Sequence, residues 1–220
     1  MSFFSSLTSS IKNLTTGFVP QRLTFGDIQV LTTALLAEGG YSYVYSAREV
    51  GMQARQFAVK KVLAQDAETD AIAEVETSLL QKLDGQPGFV RCHGVMSKQM
   101  SKTTTEHWML LELCPHGSLV DVLYRKGKNG AFEKKPPLPT LRVLEIFEMV
   151  AAAVTHMHAL SPAVTHRDLK LENVLGASDG RWVLCDFGSA TTRVLPASRA
   201  RRDSLKEEEA IHKYSTLMYR

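Results

Sequence analysis

The pattern of apolar residues changes near residue 115 of this 220-residue chain. In the first half, short stretches of β-branched and aromatic residues separated by turn residues predict antiparallel strands. These strands are predicted at 28–36, 56–62, 89–96 and 107–113. One segment of this half, 66–83, has apolar residues at helical spacing, and the second half carries helical patterns over 118–125 and 140–160. The pattern therefore predicts an α+β chain with a boundary near residue 115.

The region around the longest predicted helix gives two further expectations. Residues 127–139 are basic and rich in Gly and Pro, which is typical of an exposed loop, and Thr140 is expected to cap the helix that follows. Apolar side chains occur nearly all round helix 140–160. We therefore expect other helices to bury it.

Composition narrows the partners and the compartment. The chain has 26 Lys and Arg against 23 Asp and Glu, a net charge of +3 that is too small to indicate nucleic acid as a partner. The three cysteines, Cys92, Cys114 and Cys185, are widely spaced and form no zinc-binding pattern, which fits a reducing compartment. No apolar run approaches the ~20 residues of a membrane-spanning helix. These features predict a cytoplasmic protein.

The first 26 residues are predicted to be a flexible leader, because they are rich in Ser and Thr. Ser2 stands where N-myristoylation requires a glycine. The alternative is a short helix at a membrane surface, since five apolar residues could share one face of it. They are Phe3, Phe4, Leu7, Ile11 and Leu14.

Four short motifs follow one another along the chain. They are Glu38-Gly39-Gly40, Ala58-Val59-Lys60, His166-Arg167-Asp168-Leu169-Lys170-Leu171-Glu172-Asn173 and Asp186-Phe187-Gly188. In this order they resemble the Gly-rich loop, the strand lysine, the catalytic loop and the metal-binding loop of the eukaryotic protein kinases. Each motif alone also occurs in ordinary turns, but together they identify the chain as resembling this family.

The resemblance implies a bilobal α+β fold from about residue 28 onwards. It predicts a complete β-rich N-lobe over 27–114 and a partial helical C-lobe over 115–220, because the family's Ala-Pro-Glu motif and later helices would follow Arg220. We therefore expect one apolar face of helix 140–160 to lack its cover. An isolated chain of this kind is expected to be poorly stable.

The resemblance also implies ATP-dependent phosphoryl transfer with Mg²⁺ as a cofactor. Asp168 would orient the substrate hydroxyl, and Lys170 would offset charge on the transferred phosphate. Asn173 and Asp186 would supply oxygen ligands to Mg²⁺, and Lys60 would bind the α- and β-phosphates.

Lys60 needs an acidic partner, and helix 66–83 offers two candidates. Glu76 has apolar residues at helical spacings of three, four and seven, whereas Glu74 shares its side with polar residues. A carboxylate on an apolar face needs a counter-charge, so Glu76 is the predicted partner. The neighbouring Lys61 is expected to be solvated on the opposite face of its strand.

The remaining nucleotide contacts are also implied by the resemblance. Leu111 would be the gatekeeper, and Glu112 to Cys114 would form the hinge that receives adenine. Val44 and Ala58 would form an apolar roof over the base. The loop over the phosphates departs from the usual glycine pattern, since Ala37 and Ser42 replace two glycines. The loop residues are Ala37, Glu38, Gly39, Gly40 and Ser42.

Three stretches indicate a narrower group within the family. Residues 36–45, 185–191 and 214–220 resemble the Numb-associated kinases, which include the adaptor-associated and cyclin-G-associated kinases. This resemblance implies Ser/Thr specificity, as Lys170 and Thr216 also do, and suggests vesicle-trafficking adaptors as partners. Ser204, which follows Arg201, Arg202 and Asp203, lies between the second and third of these stretches and is a candidate phosphorylation site.

Two functions remain open on the sequence alone. The first is a catalytic fragment of a protein kinase that phosphorylates Ser and Thr in protein substrates. The second is a truncated, kinase-like module that binds nucleotide or a partner without catalysis. The intact motifs favour the first, and the missing end of the C-lobe favours the second.

Overall fold

A computed structural model describes residues 18–51, 55–127, 131–193, 209, 212, 215 and 216 of the chain. The predicted leader helix, Ser204 and most of 214–220 lie outside the described residues. The strands are β1 (Arg22–Phe25), β2 (Ile28–Glu38), β3 (Ser42–Glu49), β4 (Gln56–Ala64), β5 (Cys92–Gln99), β6 (Thr105–Glu112), β7 (Tyr124–Lys126), β8 (Phe132–Lys134), β9 (Val174–Gly176) and β10 (Trp182–Leu184). The described helices are α1 (Ala67–Leu83), α2 (Leu119–Leu123) and α3 (Thr140–Ala159), with a 3₁₀ turn at Leu171–Asn173.

The first half of the chain forms one antiparallel sheet with the strand order β1-β2-β3-β4-β6-β5. In this sheet Lys60 lies opposite Met109 and Val62 lies opposite His107. Because side chains alternate along a strand, Lys60 and Val62 project from the same face of β4. Helix α1 packs against β4, β5 and β6 on the sheet.

Strand β1 corrects the predicted leader. Residues Arg22–Phe25 pair with β2, and Phe25 is buried in a cluster with Val30 and Trp108. The sheet is so close to β1 at Gly94 that a Cβ there would lie 2.9 Å from the Cβ of Phe25. The leader prediction was therefore too long by at least these four residues, because its polar composition hid a single aromatic residue that fills the core.

Helix α1 begins with a capping box that the sequence analysis did not identify. The Asp66 side chain accepts a hydrogen bond from the Thr69 amide, and the Thr69 hydroxyl accepts one from the Asp66 amide. These bonds satisfy donors that the first turn of a helix leaves free. The helix buries one face against the sheet, through Ala73, Glu76, Leu79, Leu80 and Leu83.

The second half differs from the sequence prediction at two places. Residues 127–139 are not wholly a loop, because β7 and β8 pair across them and Arg125 forms an ion pair with Glu133 on the opposite strand. Thr140 is the first residue of α3 and does not cap it. The cap position is occupied by Pro139, whose side chain has no acceptor to offer.

Helix α3 buries one side and exposes the other within the part of the chain that the structure describes. Ile146, Ala153 and Met157 are buried in the larger of two hydrophobic clusters. Leu141 and Phe147 are 69% and 71% exposed. The face that was expected to lack cover is thus exposed among the described residues. None of the described helices is long and apolar enough to cross a membrane.

Replacing Phe25 tests whether β1 belongs to the folded core. We expect Phe25→Ala to lower the free energy of unfolding by about 3–5 kcal/mol, because a large buried side chain is lost. The matched control is Val19→Ala, since Val19 is 71% exposed. Urea unfolding of both variants measures the difference, and equal stability of the two would contradict the packing of β1.

Candidate active site

A largely apolar cavity of about 630 Å³, part of it open to solvent, lies between the sheet and the second half of the chain. Several predicted nucleotide contacts line it, namely Val44, Ala58, Lys60, Leu111, Glu112, Cys114 and Asp186. Leu113, within the predicted hinge, also lines it. Five further lining residues were not expected from the sequence to contact the base, namely Leu36, Leu80, Val90, Leu175 and Cys185. The cavity thus has a largely apolar interior, with the charged side chains of Lys60, Glu76 and Asp186 grouped together in its lining.

Leu36 is the clearest of the missed lining residues. It lies in β2, where the pairing with β3 shifts between Leu35 and Ala37. Such a bulge changes which side chains face the interior, and simple alternation along the strand does not reveal it. The only signal in the sequence was the position of Leu36 directly before the Gly-containing loop.

The Gly-containing loop forms the tight turn between β2 and β3. The Gly39 amide donates a hydrogen bond to the Ser42 carbonyl, at 2.7 Å. Ser42 is buried, and Tyr41 at the tip is 56% exposed. Ala37, Glu38, Gly39, Gly40 and Ser42 do not line the apolar cavity. Their predicted contacts with phosphates remain a prediction.

Lys60 lies between two carboxylates at the charged end of the cavity. Its Nζ is 2.6 Å from Glu76 Oε1 and 2.7 Å from Asp186 Oδ1, and all three side chains are largely buried. The structure therefore places Glu76, and not Glu74, against Lys60. The helical spacing around Glu76 was the signal that distinguished the two glutamates.

The pKa shifts in this cluster follow from one cation shared by two carboxylates. Burial favours the neutral amine of Lys60, but the charges of Asp186 and Glu76 outweigh burial and raise its pKa. Burial also opposes ionisation of Asp186, yet the Lys60 charge holds the pKa of Asp186 below its usual value. Burial raises the pKa of Glu76, and the negative charge of Asp186 adds to this effect. The positive charge of Lys60 opposes both, but it is shared between the two carboxylates. Lys60 and Asp186 are thus the most firmly charged members of the cluster.

Lys61 corrects a prediction made from strand alternation alone. It does project from the face opposite to Lys60, but it is not a solvated lysine. Its ammonium pairs with Glu106 and lies 4.8 Å from the centre of the Trp108 ring. Both partners lie on the adjacent strand β6, with Trp108 directly opposite Lys61. The sequence could not reveal this pairing without the strand order.

A second polar cluster forms around Asp168. Lys170 Nζ donates to Asp168 Oδ2 at 2.6 Å, and the Thr216 hydroxyl donates to Asp168 Oδ1 at 2.6 Å. Asn173 Nδ2 donates to the Asp168 carbonyl at 2.9 Å. Partial burial disfavours the Asp168 carboxylate, but the bonds from Lys170 and Thr216 hold the pKa of Asp168 below its usual value. Asp168 is therefore an ionised acceptor.

His166 joins the two clusters through the backbone. Its Nδ1 accepts a hydrogen bond from the Asp168 amide at 3.3 Å, and its Nε2 lies 3.2 Å from the Cys185 carbonyl. A neutral imidazole with the proton on Nε2 satisfies both contacts. Burial lowers the pKa of His166, which favours this neutral form. The position of His166 directly before Arg167-Asp168 was the signal in the sequence for this role.

Two residues near these clusters have left-handed backbones. Arg167 and Asp186 each have a φ of 64°. Aspartate tolerates this region better than most residues, and strained backbones often occur at functional sites. Phe187 is buried beside Asp186, with its ring 5.4 Å from that of His166 and 6.1 Å from that of Phe89. This packing holds Asp186 toward the cavity.

Asn173 offers an oxygen that fits a divalent cation. Its Nδ2 is occupied by hydrogen bonds to Asp168, and its buried Oδ1 has no hydrogen-bond partner among the described residues. A buried oxygen of this kind needs a donor or a cation. No cluster of three or more His, Cys, Asp or Glu that could hold a metal occurs in the described ranges. An ion shared by Asn173 and Asp186 would therefore need further oxygen ligands from phosphate or water.

Comparison with known proteins agrees with this geometry. The family model of the protein kinase domain matches residues 32–209. The chain belongs to the protein kinase domain family. The α+β kinase fold predicted from the sequence is thereby confirmed. Members of this family generally use ATP and Mg²⁺ and act on protein substrates.

Three curated relatives resemble the chain over most of its length. Two are named probable serine/threonine-protein kinases of Dictyostelium discoideum, with 33% and 31% identity over 94% and 84% of this chain. The third is the protein kinase domain-containing protein ppk38 of Schizosaccharomyces pombe, with 32% identity over 96% of this chain. The chain spans 25%, 16% and 32% of the lengths of these relatives.

The cysteines around the cavity are expected to be unreactive in the folded chain. Burial raises the pKa of Cys114 to about 12 and also raises the pKa of Cys92 and Cys185. We expect a maleimide to label them at least about tenfold more slowly in the native protein than in denaturant. Ser101→Cys, which adds an exposed thiol, is the positive control. Rapid native labelling at 114 or 185 would contradict the packing.

Proposed function

We propose that this chain transfers the γ-phosphoryl group of ATP to Ser or Thr hydroxyls of protein substrates. The observation that carries this proposal is that the cluster of Asp168, Lys170 and Asn173 adjoins the Lys60–Glu76–Asp186 cluster. The Cys185 amide, next to Asp186, donates to the Asn173 carbonyl at 3.0 Å and connects the two. Two curated relatives carry the name serine/threonine-protein kinase, which supports the same reaction. The truncated binding module is not favoured.

The adenine ring would occupy the apolar cavity. Val44 and Ala58 would cover its faces, Leu111 would limit its depth, and the backbone of Glu112 to Cys114 would bind its edge. The phosphates would then reach Lys60, whose raised pKa keeps it a cation. The loop residues Ala37 to Ser42 would approach the phosphates through their backbone amides.

Asn173 and Asp186 would hold Mg²⁺, which when bound neutralises negative charge on the phosphates. The orientation of Asn173 supports this role. Its side-chain nitrogen donates hydrogen bonds to Asp168, and its buried Oδ1 has no hydrogen-bond partner among the described residues. Glu76, which also lines the cavity, would hold Lys60 in place.

Asp168 would accept the hydrogen bond of the substrate hydroxyl and orient its oxygen toward the phosphate. The hydroxyl of Thr216 already donates to Asp168 Oδ1, which supports an aliphatic hydroxyl as the group that Asp168 receives. Lys170 lies 2.9 Å from the same Thr216 hydroxyl and would offset charge on the transferred group. Asp168 and Lys170 thus act from neighbouring positions on one loop.

The narrower assignment is also a proposal. The resemblance of residues 36–45, 185–191 and 214–220 to the Numb-associated kinases supports membership of that group, and with it vesicle-trafficking adaptors as protein substrates. The three buried, unpaired cysteines support a cytoplasmic location.

Phosphorylation of purified adaptor subunits, compared with unrelated Ser- and Thr-containing proteins, tests the substrate class. Equal phosphorylation of both sets would argue against it.

Replacing Asp168 tests the reaction directly. We expect Asp168→Asn to lower phosphoryl transfer to a Ser or Thr substrate by at least about 100-fold, because the hydroxyl loses its charged acceptor. ATP binding is expected to persist, since Asp168 does not line the cavity. The control is Asp27→Asn, an exposed residue of the β1–β2 turn. Unchanged turnover in Asp168→Asn would overturn the catalytic assignment.

Metal removal tests the nucleotide site. We expect ATP with Mg²⁺ to raise the melting temperature of the chain, since a ligand at 100 times its Kd adds about 2.7 kcal/mol of stability. Excess EDTA should remove most of this shift, and Asn173→Ala should weaken it. A shift without any phosphoryl transfer would favour the binding-module alternative, and no shift would contradict nucleotide binding in the cavity.

A further inference from the structure

Helix α1 has a second polar attachment to the sheet, away from the cavity. Asp70 lies in the first turns of α1, and its Oδ1 is 2.7 Å from Nε2 of His107 on β6. The Ser97 hydroxyl on β5 lies 2.9 Å from Nδ1 of the same ring. Ser97 and His107 are directly opposite each other in the sheet. The three side chains therefore connect the helix to the two strands at this edge of the sheet.

His107 is fixed from both sides of its ring. The residue is 2% exposed, and buried polar atoms need partners. When Nε2–H donates to Asp70, Nδ1 accepts the hydrogen of the Ser97 hydroxyl. The same residue types form hydrolytic triads, but a ring this deeply buried cannot reach a substrate. The arrangement suits a structural connection and not a second catalytic centre.

This connection acts on the same helix that carries Glu76. His107 lies opposite Val62, which projects from the same face of β4 as Lys60, so both contacts of α1 are made on one face of the sheet. Asp70 and Glu76 are separated along α1 by about 9 Å, at 1.5 Å per residue. The apolar face of α1 holds the helix on the sheet, and two separated polar contacts restrict its tilt and rotation there.

We propose that Asp70, His107 and Ser97 position helix α1 so that Glu76 reaches Lys60. Asp70 and His107 are positioning residues, because they act through Glu76 and do not contact nucleotide or substrate. This inference rests on the proposed phosphoryl transfer for its effect on rate, but the position of the helix is measurable without it.

The test compares three variants of the full chain. Asp70→Ala removes the contact with His107, while Asp70→Asn removes the charge but keeps an acceptor oxygen. Glu74→Ala removes a negative charge from an exposed position of the same helix. We expect kcat to fall about tenfold in Asp70→Ala, as loss of one buried hydrogen bond predicts, with the KM for peptide unchanged. Asp70→Asn should recover most of the rate, and Glu74→Ala should match the wild type.

Hydrogen exchange of α1 in the nucleotide-free chain separates this inference from the proposed function. The amides of α1 should exchange faster in Asp70→Ala than in Asp70→Asn or Glu74→Ala, whether or not the chain transfers phosphate. Ser97→Ala should give a smaller change in the same direction. Equal α1 exchange in Asp70→Ala and the wild type would overturn the proposal, and so would equal loss of rate in the Ala and Asn variants.

Discussion

The buried ammonium of Lys60 is the interaction on which the site depends. Moving a charge out of water costs several kcal/mol, and only close counter-charges offset that cost. Lys60 on β4 obtains them from Glu76 on α1 and from Asp186, which follows β10. Three segments that are distant in the chain must therefore meet at one point. The apolar cavity lies directly beside that point, so the contact that satisfies Lys60 also forms the charged end of the cavity.

A neutral histidine, His166, connects the segment that carries Asp168 to the segment that carries Asp186. His166 is buried, and its ring contacts the backbone beside Asp168 on one side and the backbone beside Asp186 on the other. Because burial favours its uncharged form, it adds no charge between two carboxylates. Both ring nitrogens of His166 are thus engaged by the backbone. The ring therefore sets the spacing between Asp168, which would receive the substrate hydroxyl, and Asp186, which would hold the metal.

The sequence predicted those features that depend on a local pattern and missed those that depend on which strands are neighbours. Glu76 was distinguished from Glu74 because helical spacing alone decides which side of α1 is apolar. Lys61 was wrongly expected to be solvated, since its partners come from β6, more than forty positions later. Leu36 was missed because a bulge in β2 changes its direction. Polar composition likewise hid β1, which pairs with β2 and buries Phe25 in the core.

The charge balance of the Lys60 cluster explains why α1 needs other attachments. One cation faces two carboxylates, and burial raises the pKa of Glu76, so the charge of Lys60 does not fully offset the burial of Glu76. If α1 moved away, Lys60 and Asp186 would remain as a neutral pair at 2.7 Å. The ion pair is therefore one of several contacts that hold α1 on the sheet. The apolar face of the helix, through Leu79 and Leu80, and the contact of Asp70 with His107 must supply the remainder. The position of Glu76 is thus decided by packing and by the contact of Asp70 with His107 as much as by its own charge.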